Sequence, residues 1–192
     1  MTTYATLQGD FSQWAHRDDL AAKVPTFVLL FETRVNRKLR VRQMETAYAA
    51  TIVANKTTLP INWAAFKALW LTGSQQHAIQ SQPLETVVDR ARHSARPTMY
   101  AIEGQSARFD GSGDVSGVYY ATIPGLVANG TNWLSVAAYD AYLFGVLAEA
   151  SLFTLDMDRA TVSLMKSDGA LNEVAIADSR DRFAGRLTAR AS

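Results

Sequence analysis

The chain has 192 residues, of which 48% are apolar, a formal net charge of +1 and no cysteine. That length can bury a sizeable core in one domain, and the near-neutral balance gives no grounds for disorder or for bulk affinity toward nucleic acid. The missing thiols exclude disulfides, thiolate metal sites and cysteine nucleophiles. The start, MTTYATLQGDF, lacks a basic segment followed by an apolar run, so no secretory leader is expected. No stretch approaches the roughly 18 consecutive apolar residues of a membrane span. The expectation is a soluble protein made inside the cell, with no membrane span.

Tyr4, Leu7, Phe11 and Trp14 step by three and four, which predicts a short amphipathic helix ending near His16. Asp18 and Asp19 offer capping oxygens for a turn into the next element. Residues 24–46 then carry apolar side chains at Val24, Phe27, Val28, Phe31, Val35 and Leu39, the spacing of a long helix, with Pro25 suited to its first position. The same stretch holds Arg34, Arg37, Lys38, Arg40 and Arg42. At about 100° per residue, Arg34, Arg37 and Arg40 fall away from the apolar stripe. Substituting Arg34 and Arg37 should then spare subunit stability.

Beyond Arg42 the helical period gives way to strand formers at Thr46, Tyr48, Thr51, Ile52 and Val53, with a turn at Asn55-Lys56-Thr57. Trp63, Phe66, Leu69, Trp70 and Leu71 form a dense patch whose period fits helix or strand. Residues 84–93 read as a short surface helix behind Pro83. Between Met99 and Ile123, turns at Glu103-Gly104 and at residues 110–114 predict two hairpins sharing a strand. Ser135 is a cap for a helix over 136–154. One face of that helix has Tyr139, Tyr142, Leu143, Val146 and Leu147, and a second has Ala138, Ala141, Gly145 and Ala148. Apolar on most sides, it should be buried, and its small residues allow close helix approach. Asp156 and Asp158 open a last helix, about 157–183, which Gly169 could bend and Gly185 ends.

The fold class expected is α+β: N- and C-terminal helices packed as a bundle with an inserted β-rich central portion. In domain terms this is one domain over 1–192, with a helical frame at 1–43 and 135–184, a β-rich insert at 44–134 and a mobile tail at 185–192.

No chemistry assembles from residue types. His16, His77 and His93 are scattered, and no HExxH, GxSxG or phosphate-loop pattern occurs. Asp110, Ser112 and Asp114 alternate like calcium ligands, but Val115 and Ala121 stand where such a loop needs glycine and glutamate, so a turn is the better reading. No catalytic residue, metal ligand or cofactor is predicted. Trp63, Phe66 and Trp70 could stack on bases or pack the β section. The basic run could be solvated, could pair with a neighbouring subunit, or could face a phosphate backbone.

Several stretches together resemble a tailed-bacteriophage head-to-tail adaptor family. The most specific are His16-Arg17-Asp18-Asp19-Leu20, Val24-Pro25-Thr26-Phe27, and the run from Glu32 through Arg37-Lys38-Leu39-Arg40-Val41-Arg42-Gln43-Met44-Glu45. Thr57-Thr58-Leu59-Pro60, Leu69-Trp70-Leu71, Tyr119 to Pro124, Thr131 to Leu134 and Asp178 to Gly185 add shorter matches. Residues 73–97 and Gly169 depart from the pattern. The resemblance implies a non-enzymatic virion protein, assembled in the host cytoplasm and placed at the head-to-tail interface. It implies a homo-oligomeric ring of about twelve copies. The ring would join the capsid portal to tail or nozzle proteins and leave a channel through which genomic DNA passes without sequence-specific binding. It makes Arg180, Arg182, Phe183, Arg186, Leu187 and Arg190 candidates for portal binding, and Arg34, Arg37, Lys38, Arg40 and Arg42 candidates for a subunit interface or the channel. A nucleic-acid-binding regulator using the basic helix, or a tail-associated enzyme, is the alternative.

Overall fold

The computed structural model describes residues 2–183, without the side chains of residues 74–77 and 183. Helices at both ends of the chain flank central sheets, an α+β arrangement. Two compact units form: Met1–Gln43 with Ile123–Ser192, and Met44–Thr122.

In the helical unit, α1 (Tyr4–Ala15) starts where the Thr3 hydroxyl accepts the Thr6 N–H, and buries Leu7 and Phe11. His16, at φ 53°, turns the chain out of it. A 3-10 turn, Asp18–Lys23, leads into α2 (Val24–Lys38), which has Pro25 in its first turn and buries Val24, Phe27, Val28, Phe31 and Val35.

The sequence expectation carries this helix to about Arg42, but it stops at Lys38. Leu39 is extended, at φ −89° and ψ 135°, and from there Leu39 and Val41 turn inward while Arg42 is exposed. Arg42–Met44 then form a 3-10 turn, so the four-residue step from Val35 to Leu39 mimics a helix that has already ended. Arg40 and Arg42 therefore lie beyond the helix.

The chain re-enters the helical unit at Ile123, whose N–H is held by the Asn36 side chain at 2.8 Å. A single turn, α4 (Leu126–Asn129), ends at Gly130, where φ is 73°. Asn132, rather than Ser135, caps the next helix, α5 (Trp133–Ala137). Ser135 sits at its third position and completes the reciprocal capping box. Ala138, at φ −148° and ψ 70°, separates α5 from α6 (Tyr139–Phe153), so the expected single helix over 136–154 is broken. α6 is buried almost all round and packs on α1, α2 and α7 (Met157–Phe183). Its Gly145 lies under the Phe31 ring, where a Cβ would come within 2.2 Å of a ring carbon. α7 is capped by Asp156, which accepts the Arg159 N–H, and runs unbroken through Gly169.

The β unit holds two four-stranded sheets. The first contains β1 (Glu45–Ile52), β3 (Trp63–Leu71), β4 (Ser74–Ala78) and β8 (Gly113–Ala121), in the order β1-β8-β3-β4. The second contains β2 (Lys56–Thr58), β5 (Gln80–Ser81), β6 (Met99–Glu103) and β7 (Ser106–Phe109), in the order β2-β7-β6-β5. The short helix α3 (Leu84–Arg90) follows β5.

Of the two hairpins expected between Met99 and Ile123, β6–β7 forms. The second does not, because β8 pairs with β1 and β3 in the other sheet. The intervening loop is a crossover, and its Gly111 lies where a Cβ would sit 2.4 Å from the Arg96 backbone. The Asn55 turn redirects the chain in the same way: Ala54 and Asn55 both take positive φ, and β2 continues in the second sheet. Tyr48, Ile52, Leu69, Val115 and Tyr119 of the first sheet join Ala107 and Phe109 of the second in one core.

Candidate functional site

Most of the basic residues singled out in the sequence are bound within the chain. Arg34 does not lie on the outward face predicted for it. At about 100° per residue it flanks the stripe beside Phe27, and its side chain is only 16% exposed. Its guanidinium lies 3.6 Å from Glu149 of α6, itself 15% exposed, and over the Phe31 ring. Nε and Nη2 of Arg34 are buried without hydrogen-bond partners. Lys38 pairs with Asp168 of α7 at 3.1 Å. Arg40 donates back to the carbonyls of Asn36 and Leu39. Arg37 is exposed, with a 3.3 Å bond from Nε to the Thr33 carbonyl.

Arg42 connects the two candidate groups. Its backbone N–H donates to Asp178 at 3.0 Å, and its guanidinium pairs with Asp181. Arg182 donates from Nε to the other oxygen of Asp178 at 2.6 Å. The structure thus gathers Arg42 and Arg182 around one carboxylate that is 6% exposed. Arg180 lies exposed on the same last turns of α7. The Phe183 side chain, together with Arg186, Leu187, Arg190 and the tail 185–192, lies outside the described residues.

A buried polar cluster escaped the sequence reading. Glu32 sits on α2 at the edge of the apolar stripe, where its carboxylate accepts the Leu126 N–H at 2.7 Å and the Tyr142 hydroxyl at 2.9 Å. Asn132 Nδ2 donates to that hydroxyl at 2.6 Å and to the Pro124 carbonyl at 2.8 Å. Burial pushes the Glu32 carboxyl above its ordinary range, against the pull of those two donors. Burial and the neighbouring Glu32 charge push the Tyr142 hydroxyl up as well. The cluster fastens the returning segment 123–132 onto α2. The available signal was a glutamate beside an apolar stripe, a position that needs a partner when buried.

In the β unit, Asp110 is fully buried and accepts from Thr98 N, Thr98 Oγ1 and Met99 N. It ties the start of β6 to the loop between β7 and β8, which is a crossover and not the hairpin turn expected from the sequence. Phe66 meets Tyr48, Trp63 and Tyr100 edge-on at 5.0, 5.5 and 5.4 Å, so these rings pack the unit. Among the described residues there is no cluster of histidines and carboxylates that could hold a metal, and no helix long and apolar enough to cross a membrane.

Compared with known proteins, residues 2–190 match the family model described as SU10 adaptor protein. No curated protein matches the chain.

Proposed function

This chain belongs to the SU10 adaptor protein family, a bacteriophage adaptor family, and from that premise we propose that it is a structural, non-enzymatic head-to-tail connector of the virion. In this reading the terminal helices act as a bundle that carries the β section. Copies close into a ring of about twelve, the ring joins the portal to tail or nozzle components, and the genome passes through its centre. The observation that carries the reading is the family match over nearly the whole chain. The charge distribution supports it: Arg34, Lys38 and Arg42 are committed to acids of their own subunit, which suits a scaffold better than a duplex-reading helix. Portal binding is assigned to the chain end, where Asp178 fixes the last turns of α7 and the arginines beyond can pair with carboxylates.

The test is co-purification of the full chain with portal protein, with negative-stain imaging of the product. A ring seated on the portal is the expected result. A truncation after residue 183 should lose portal binding while unfolding at an unchanged temperature. Tight, sequence-selective DNA binding by a small oligomer would overturn the reading in favour of a regulator.

A further inference from the structure

Among the described residues, nothing of the subunit itself covers one outward stripe on each of two helices. On α7, Val162, Met165, Gly169 and Glu173 recur at steps of three, four and four and face away from α6. Val162 and Met165 are 56% and 70% exposed, whereas the opposite face, with Ser163, Ser167 and Leu171, is buried. On α2, Thr26, Leu30, Thr33 and Arg37 recur at steps of four, three and four, all outward. Leu30 is 47% exposed and Leu29 beside it 62%. The Thr33 hydroxyl is bonded back to the Leu29 carbonyl at 2.7 Å, so this position presents a small surface with its donor already satisfied.

Nothing among the described residues of its own subunit packs against Gly169. A Cβ there would meet nothing within 4 Å, and the position is plainly helical. Glycine is among the poorest residues for a helix interior, since it adds backbone entropy to the unfolded chain. A small residue on an exposed helix face is useful where a second helix comes close, because interaxial distance follows the size of the side chains at the contact.

We propose that the outward stripe of α2 docks side by side, in parallel, on the outward stripe of α7 in a neighbouring copy of this chain. The proposal rests on the ring reading given above and names the surfaces that would build it. Both stripes span the same number of residue steps, 26 to 37 and 162 to 173, or about 16 Å of helix. In parallel register Thr26 meets Val162, Leu30 meets Met165, Thr33 meets Gly169 and Arg37 meets Glu173. Both members of the last pair are exposed, and neither has an ion-pair partner among the described residues. The charges are complementary, and the antiparallel alternative would bring Arg37 onto Val162 and leave Glu173 facing Thr26. Because the two surfaces differ, each copy offers one of each, and the contact repeats head to tail, as a closed ring requires.

The experiment measures self-association of the full chain by sedimentation velocity and negative-stain imaging, for wild type, Arg37→Glu, Glu173→Arg, the double reversal and Gly169→Leu. Each variant is also melted to check its fold. Each single reversal should weaken association at least tenfold, and the double reversal should return it to within about threefold of wild type, because swapped charges still pair. Gly169→Leu should block association without lowering the melting temperature. Failure of the double reversal to restore association would overturn the proposed pairing. Wild-type rings with single variants that assemble normally would remove this contact and leave the ring reading standing. Normal rings with lost binding to portal or tail would reassign the stripes to those partners. A wild type that stays monomeric, alone and with portal, would remove the ring reading itself.

Discussion

Glu149→Ala tests the buried charge pair directly. Arg34 and Glu149 are 3.6 Å apart and each only about one-seventh exposed. At an effective dielectric of about 20 their attraction amounts to roughly 4–5 kcal/mol, offset by the desolvation of both ions. Removing the carboxylate leaves a guanidinium whose Nε and Nη2 already lack partners. The expected loss is about 3 kcal/mol, or about 6–12 °C in melting temperature for a chain of this length. Replacing both residues by methionine removes the two desolvation costs together, so the double variant should fall within about 1 kcal/mol of wild type or above it. Urea unfolding of wild type, Arg34→Met, Glu149→Met and the double methionine variant closes the cycle, with Glu149→Ala measured beside it. If Glu149→Ala costs less than about 1 kcal/mol, or the double variant loses as much as the two singles summed, the pair is solvated and the reasoning fails. Arg34→Glu would set two carboxylates together in the same place, so it should harm the isolated subunit. This reverses the sequence-based expectation for that substitution.

Gly145→Ala should cost about 2–3 kcal/mol because its Cβ would fall 2.2 Å from the Phe31 ring; thermal melts check this, and Phe31→Leu should recover part of the loss. Asp178→Ala strips the Arg42 N–H and Arg182 of their shared acceptor. It should cost about 2–3 kcal/mol and speed amide exchange in the last turns of α7, and unaltered exchange there would count against the clamp. Glu32 has a raised folded-state value. Between the ordinary carboxylate value of 4.5 and that higher one, the folded state binds more protons than the unfolded, so Glu32 contributes stability at low pH that is lost as pH rises through the window. Going from about pH 7 to about pH 4.5, the stability of wild type relative to Glu32→Gln should therefore move in favour of wild type, and a difference independent of pH would refute it.

Periodicity carried the helices well. The apolar steps of α1 and α2, the encircling apolar surface of α6 and the acid at the head of α7 each report a local rule that the fold obeys. Where two rules overlapped, the sequence misled. Val35 to Leu39 is a helical step, yet Leu39 is buried from an extended backbone and Arg42–Met44 form a 3-10 turn, so the apolar spacing ran on past the end of the helix. Turn chemistry marked residues 110–114 and Asn55 as turns, although Gly113 and Asp114 already belong to β8, and it could not say which sheet received the next strand. That depends on distant packing, such as Gly111 against Arg96. The basic run was legible as a run. Its partners were not, because Glu149, Asp168 and Asp178 lie more than a hundred residues away along the chain.

The β unit enters and leaves through neighbouring strands. Glu45 stands opposite Tyr120 and Thr46 opposite Tyr119, so the first and last residues of the unit lie within one ladder rung of each other. To the helical unit, the whole of Met44–Thr122 is a loop whose ends are already closed. Such a section can be exchanged for one of different size, or for a short hairpin ending in the same two strands, without moving Gln43 or Ile123. Evolution and design could therefore change what the sheets present while keeping the helices, their buried Glu32 cluster and the Asp178 clamp unaltered.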